Sequence, residues 1–199
     1  MRGPIVDGFV LGSNFYICSY WDTVLMAPIA YQNNTAPIFG FSPFTKSRGL
    51  LTQNCVVVAD NVAYGIDSRG VWSFDGSSFT PLDNQKTKNY FFANLNATYA
   101  NRIFMVNNTR KFQIELYYPD NSSTGWCNKM LSWRYDLNVW NAPKDVDGAC
   151  NACEAPVYNS GTSSFMYATR CVTYARGGVN NSQLNETGQG NSFNGNPIP

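Results

Sequence analysis

Short apolar runs alternate with polar turn residues along most of the chain, most clearly from Asn54 to Thr80. Cys55-Val56-Val57-Val58-Ala59 is a β-branched run, closed by Asp60-Asn61. Val62-Ala63-Tyr64-Gly65-Ile66 follows, then the polar turn Asp67-Ser68-Arg69-Gly70. Val71-Trp72-Ser73-Phe74 ends at Asp75-Gly76, and Ser77-Ser78-Phe79-Thr80 ends at Pro81. Short runs of this kind separated by Asp-Gly and Asp-Asn turns predict hairpins, because type I′ turns need positive φ at both central residues. Four such strands in succession predict an antiparallel meander, the size of one propeller blade.

Residues 101–143 repeat the plan with longer turns. Ile103 to Val106 and Phe112 to Tyr117 are predicted strands, the second with Phe112, Ile114 and Leu116 on one face. A polar loop from Pro119 to Gly125 precedes a strand from Met130 to Tyr135, which Leu137-Asn138 turns back into Val139-Trp140-Asn141. Ser164 to Thr169 and Cys171 to Tyr174 suggest a third unit. At the opening, Phe9-Val10-Leu11 and Asn14 to Tyr20 read as a hairpin around Gly12-Ser13, and Pro37 to Thr45 reads as a loop. Asn89 to Tyr99 has a poor helical pattern and is expected to be irregular or a short turn.

An internal echo accompanies this pattern. Trp72-Ser73-Phe74-Asp75 returns as Trp133-Arg134-Tyr135-Asp136, and more weakly as Asn191-Ser192-Phe193-Asn194. Repeats spaced by tens of residues point to propellers, solenoids or arrays. The expected fold is all-β: antiparallel meanders forming blades of a β-propeller or of an incomplete propeller-like array. Residues 1–176 are read as the blades. Residues 177–199, rich in Gly and Asn, are read as a tail or as the start of a further blade.

Composition narrows the function classes. Charged residues are 14% of the chain, against a usual quarter, while aromatic residues reach 15%. A net charge of +1 gives no general attraction to nucleic acid or anionic membrane. The absence of His removes His-based triads and His zinc sites. No apolar stretch has the length of a membrane span; the longest, Val24 to Tyr31, contains Pro28. The opening Met1-Arg2-Gly3-Pro4-Ile5-Val6-Asp7 does not read as a signal peptide, so folding is expected in a reducing cytosol. There the six cysteines, Cys18, Cys55, Cys127, Cys150, Cys153 and Cys171, are expected as packed thiols rather than disulfides.

The candidate chemistry is thin. Cys150-Asn151-Ala152-Cys153 would need Cys127 and Cys171 to complete a zinc site, at irregular spacing, and no predicted helix follows to activate a thiol. Asp75 and Asp136 form a conceivable carboxylate pair for glycoside cleavage, but they occupy equivalent turns of different repeats, so turn-making is the preferred role. Asn33, Asn96, Asn107, Asn121, Asn180 and Asn185 head N-x-S/T sequences, read as loop composition. Tyr117, Tyr118, Trp126 and Trp140 are candidate stacking surfaces for sugars or a partner, with core packing preferred for Trp140. Lys86, Lys88, Arg110 and Lys111 are too scattered along the chain to suggest a nucleic-acid track. No catalytic, cofactor-binding or metal-binding residue is assigned, and no enzyme is expected.

Cys55 to Gly76, with its strands, Asp67-Ser68-Arg69-Gly70 turn and Trp72-Ser73-Phe74-Asp75-Gly76, resembles a blade of the tail nozzle proteins of short-tailed bacteriophages. Asn107 to Pro119, followed by Tyr135-Asp136-Leu137-Asn138-Val139-Trp140, resembles the next blade. Gly188 to Ile198 resembles a Ser-Phe-Asn-Gly segment of the same family. The resemblance implies a structural tail subunit in the virion, assembled in the host cytoplasm as a homo-oligomeric ring. Its implied partners are adaptor, tail-fibre and further nozzle subunits, with DNA passing nearby without sequence-specific binding. Nozzle proteins are several times longer, and a propeller needs four or more blades of roughly 40 residues. A split gene, a fragment or a β domain completed by a neighbour is therefore expected. The alternative reading is a carbohydrate-binding or depolymerase-type β domain.

Overall fold

The computed structural model describes residues 1, 3–29, 39–45, 47–158, 167–176, 182–186, 192–193 and 196–197, with side chains described as far as Ala152, Asp147 excepted. The protein is mostly antiparallel β, as the alternation predicts, and divides into two units, Met1–Asn94 and Leu95–Pro199. None of the sheets closes into a barrel among the described residues.

The first unit contains two four-stranded meanders. One is β1 (Ile5–Leu11), β2 (Asn14–Ser19), β3 (Thr23–Pro28) and β4 (Phe39–Thr45); the other is β5 (Val56–Ala59), β6 (Val62–Asp67), β7 (Gly70–Phe74) and β8 (Phe79–Pro81). The turns explain the tight connections. Gly12 at φ 60° opens the two-residue turn between β1 and β2, and Asp60 and Asn61, at φ 48° and 60°, form the type I′ turn between β5 and β6. Asp67 Oδ1 accepts the Arg69 amide at 2.7 Å and fixes the next turn.

Alternation then delivers one face of each meander to a shared aromatic core. Phe9, Tyr16 and Phe44 from the first sheet meet Trp72, Phe74 and Phe79 from the second. Phe74 stacks on Phe79 at 4.4 Å, and Tyr16 meets Phe74 edge-on at 5.0 Å. Trp72 is fully buried and donates its indole N–H to the Gly49 carbonyl at 3.3 Å. Edge-to-face pairs of this kind add to the burial free energy.

Two expectations are corrected here. Residues 39–45 form a strand, not a loop; residues 37 and 38 lie outside the described ones. Pro43 is tolerated because β4 is the edge of its sheet, where a missing N–H costs no interior ladder bond. The stretch Asn89 to Tyr99, expected to be irregular, overlaps the C-terminal half of α1 (Gln85–Asn94) and the start of a 3₁₀ segment, Ala97–Arg102. The Asn84 side chain caps the helix, accepting the Thr87 amide at 2.8 Å, so a cap sustains it where apolar periodicity does not.

The second unit carries β9 (Phe104–Asn108), β10 (Gln113–Tyr118), β11 (Cys127–Arg134), β12 (Val139–Trp140), β13 (Lys144–Tyr158), β14 (Tyr167–Arg176) and β15 (Ser182–Glu186) in one sheet. The chain returns from β11 to β12 as the sequence predicts, but through the four residues 135–138, with Asn138 at φ 57°, and the register pairs Trp133 with Trp140. The N-terminal half of β11 instead pairs with β13, placing Cys127 opposite Ala149. The suggested third unit is thus not a separate sheet: β13 and β14 extend the sheet that carries Trp133. The long strand β13 has no clear alternation and was not expected. A small hairpin of β16 (Ser192–Phe193) and β17 (Asn196–Pro197) follows. The choice between tail and further blade after Gly177 falls largely outside the described residues.

Every residue of β10 is buried, so both faces of this strand are covered. Phe104, Val106, Tyr117, Cys127, Met130 and Ala149 form a core cluster, with Phe104 stacked on Tyr117 at 4.7 Å. Phe112 departs from its expected core position. It sits before β10 in the left-handed region at φ 52°, half exposed.

Candidate functional surfaces

A cavity of about 630 Å³ in the second unit is lined by Arg110, Lys111, Phe112, Gln113, Arg134, Asn141, Ala142 and Lys144. Four of these residues are cationic and none is acidic. The connection from β9 to β10 supplies the first pair. Asn108 accepts the Lys111 amide at 3.3 Å, Phe112 N–H donates to the Thr109 carbonyl, and Tyr135 N–H donates to the Phe112 carbonyl at 3.0 Å. Arg134 comes from the end of β11, where Asp136 holds its guanidinium through Nε at 3.0 Å and Nη2 at 2.5 Å. Lys144 comes from the start of β13. Arg110 and Lys111, isolated in the sequence, thus join two further cations across the fold.

The floor is a buried polar network. Gln113, 4% exposed, donates to Glu115 Oε1 at 2.5 Å and accepts from Asn141 at 3.5 Å. Glu115 also accepts from Asn108 Nδ2 at 2.8 Å and from the Tyr117 hydroxyl at 2.7 Å. Asn141 is tied to Ser132 through its side chain at 2.9 Å. Satisfied networks of this kind hold their members rigidly.

The first unit presents a different surface. The face of the β1–β4 sheet turned away from the aromatic core reads Val10, Phe15, Met26 and Phe41 along one row of cross-strand partners, and Gly8, Ile17, Val24 and Pro43 along another. Val10 is 60% exposed and Phe41 64%. A shallow groove of about 380 Å³ among Met1, Ile5, Ile17, Val24, Phe41, Ser42 and Pro43 crosses this face. Scattered exposed apolar residues are normal; here Val10 and Phe41 are the exposed ends of one continuous apolar row across the sheet.

The remaining sequence candidates are engaged structurally. Tyr117 and Tyr118 are fully buried and unavailable for stacking. Trp126 has the Arg102 guanidinium over its ring at 4.4 Å, so a sugar would find one face occupied. Trp140 packs on Trp133 at 5.3 Å. Asp75 accepts the Ser77 and Ser78 amides and the Ser77 hydroxyl; the Ser78 amide, then the Ser77 groups, hold its carboxyl down at about 2. Asp136 is lowered by its bond from Arg134. Asp75 and Asp136 belong to separate units, and each is engaged within its own turn. Asn96 caps the 3₁₀ segment through the Thr98 amide, while Asn33 and Asn180 lie outside the described residues.

Cys18, Cys55 and Cys127 are buried thiols, and Cys150 is a half-buried thiol; the side chains of Cys153 and Cys171 are outside the described set. No cluster of three metal-ligating side chains occurs among the described residues. Burial pushes the Cys18 thiol up to about 11 and the Cys127 thiol up to about 12. Both values lie above those of an unfolded thiol, so the unfolded chain loses these protons first. Their contribution to stability is constant below about pH 8 and falls as pH rises from about 9. Iodoacetamide at pH 8 is expected to label Cys150 before Cys18 and Cys127, which stay protected until urea unfolds the chain, as read by peptide mass mapping.

No helix among the described residues is long and apolar enough to cross a membrane. No protein-family model matches the chain, and no curated protein matches it.

Proposed function

We propose that this chain is a non-catalytic structural subunit of a short phage tail, part of the nozzle through which DNA leaves the particle. The observation that carries the reading is the β1–β4 sheet, apolar on both faces with one of them exposed. Apolar sheet faces gain about 25 cal/mol per Å² when covered, which favours a sheet stacked between neighbours. In the proposed assembly, a second copy of the chain covers the Val10–Phe41 row. Tryptophan on the third strand of the β5–β8 sheet, and on the third strand of the β9–β12 run inside the seven-stranded sheet, supports a propeller-like array of blades. Mutual stacking makes a rigid wall, and a near-neutral chain of net charge +1 passes DNA without retaining it. Adaptor and tail-fibre proteins are the further partners of this reading, and the virion tail its location.

Negative-stain microscopy and mass photometry of the purified chain are expected to show ring-shaped oligomers. Phe41→Glu is expected to shift them to monomers with less than about 0.5 kcal/mol lost in stability, because the side chain lies outside the core. A wild-type chain that stays monomeric at tens of micromolar (roughly the range where weak interfaces form) would overturn the proposal.

A further inference from the structure

We propose that the cavity bounded by Arg110, Lys111, Arg134 and Lys144 is a binding site for a compact phosphorylated ligand, a phosphomonoester on a sugar-sized body. The inference rests on the second unit alone and does not require the tail assignment.

Four cationic residues line this cavity from three separate stretches of chain, and two acidic groups described beside it are engaged within the fold. Asp136 fixes the plane of Arg134, and Glu115 lies beneath the floor, bonded to Asn108, Gln113 and Tyr117. A single carboxylate needs one bidentate arginine. Several convergent cations suit a group with about two negative charges and three acceptor oxygens, which describes a phosphomonoester. The site is also built rather than floppy. The turn bearing Arg110 and Lys111 is pinned at Asn108, Thr109 and Phe112, and Gln113 is locked between Glu115 and Asn141. Such fixing lowers the ordering cost of binding.

Size decides between ligand classes. A cavity of about 630 Å³ falls within the usual range of small-molecule sites. Duplex DNA instead needs phosphate contacts spread along a track. Phe112, half exposed and set edge-on to Tyr135 at 6.1 Å, offers a flat apolar wall for the ring that carries the phosphate.

The test is calorimetric titration of the full chain with inorganic pyrophosphate, a hexose 6-phosphate, the unphosphorylated hexose and a single-stranded oligonucleotide series. Saturable binding of the two phosphorylated probes, with none of the free hexose, is expected. Lys111→Ala with Lys144→Ala is expected to weaken that binding at least tenfold. The control Lys86→Ala with Lys88→Ala, which removes the same charge elsewhere, is expected to leave it unchanged. Circular dichroism confirms that both double variants stay folded. Equal weakening by the two double variants would reduce the effect to net charge and overturn the proposal. So would absence of binding to pyrophosphate and the hexose phosphate at millimolar concentration. Oligonucleotide affinity that grows with length and resists competition by pyrophosphate would overturn it too.

Discussion

Trp72→Ala is expected to cost about 3–5 kcal/mol, the range for truncating a fully buried large aromatic. Trp72 is 0% exposed, meets Phe79 at 4.9 Å and Phe9 at 6.2 Å, and holds the Gly49 carbonyl. Its removal opens a cavity between the two sheets of the first unit and leaves that carbonyl without its indole donor. For a unit of this size each kcal/mol lowers Tm by about 4–8 °C, so a fall of more than about 12 °C is expected by circular dichroism.

A companion substitution identifies the mechanism. A Cβ on Gly65 would lie 2.3 Å from the Trp72 ring, so Gly65→Ala alone is expected to cost about 1–3 kcal/mol by overpacking. In the Trp72→Ala background the methyl enters the vacated space, and the same change is expected to be neutral or favourable. Additive costs in urea titrations would show that the indole does not sit over Gly65, and the packing account would fail.

Gly65 shows what can be read from the chain before its fold is known. In Val62-Ala63-Tyr64-Gly65-Ile66 it is simply a weak point in a strand; only the register, which sets Gly65 opposite Trp72, gives it a reason. The meanders were legible because their signals are local. Asp60-Asn61 and Gly12-Ser13 specify turns within two residues, and alternation specifies faces. The helix at Gln85 is not legible from apolar periodicity because a cap, the Asn84 side chain on the Thr87 amide, sustains it. Strand β13 was missed because its neighbours β11 and β14 supply its context, not its own pattern. The basic cavity was illegible for a similar reason. Arg110 and Lys111 stand far in sequence from Arg134 and Lys144, and hairpin return alone brings them together. The covering of Trp126 by Arg102 likewise spans distant residues and turns an apparent stacking platform into a closed contact.

The largest electrostatic effect is expected at Arg48. Its Nη1 lies 3.2 and 3.1 Å from the two oxygens of Asp67, whose side chain is only 2% exposed. Asp67 Oδ1 also accepts the Arg69 amide, so the carboxylate cannot swing out to water without undoing the turn between β6 and β7. Arg48 faces a second acid as well. Burial raises the Asp83 carboxyl, and Arg48 is among the charges that oppose that rise. Asp83 lies against the backbone of the same turn, with Oδ2 1.9 Å from where a Cβ on Gly70 would fall. Arg48→Met keeps the aliphatic stem but leaves Asp67 buried and uncompensated, and is expected to cost about 3–5 kcal/mol. Asp67→Asn is expected to cost less, about 1–2 kcal/mol. The amide oxygen still accepts from Arg69, and the Arg48 side chain, 14% exposed, can turn toward solvent. The double variant is expected to be more stable than Arg48→Met alone, because the stranded charge is gone. Urea titrations at pH 7 of the four proteins measure this. Equal losses from the two single variants would mean that the pair is solvated like a surface salt bridge, worth under about 1 kcal/mol, and that burial of Asp67 does not govern the turn.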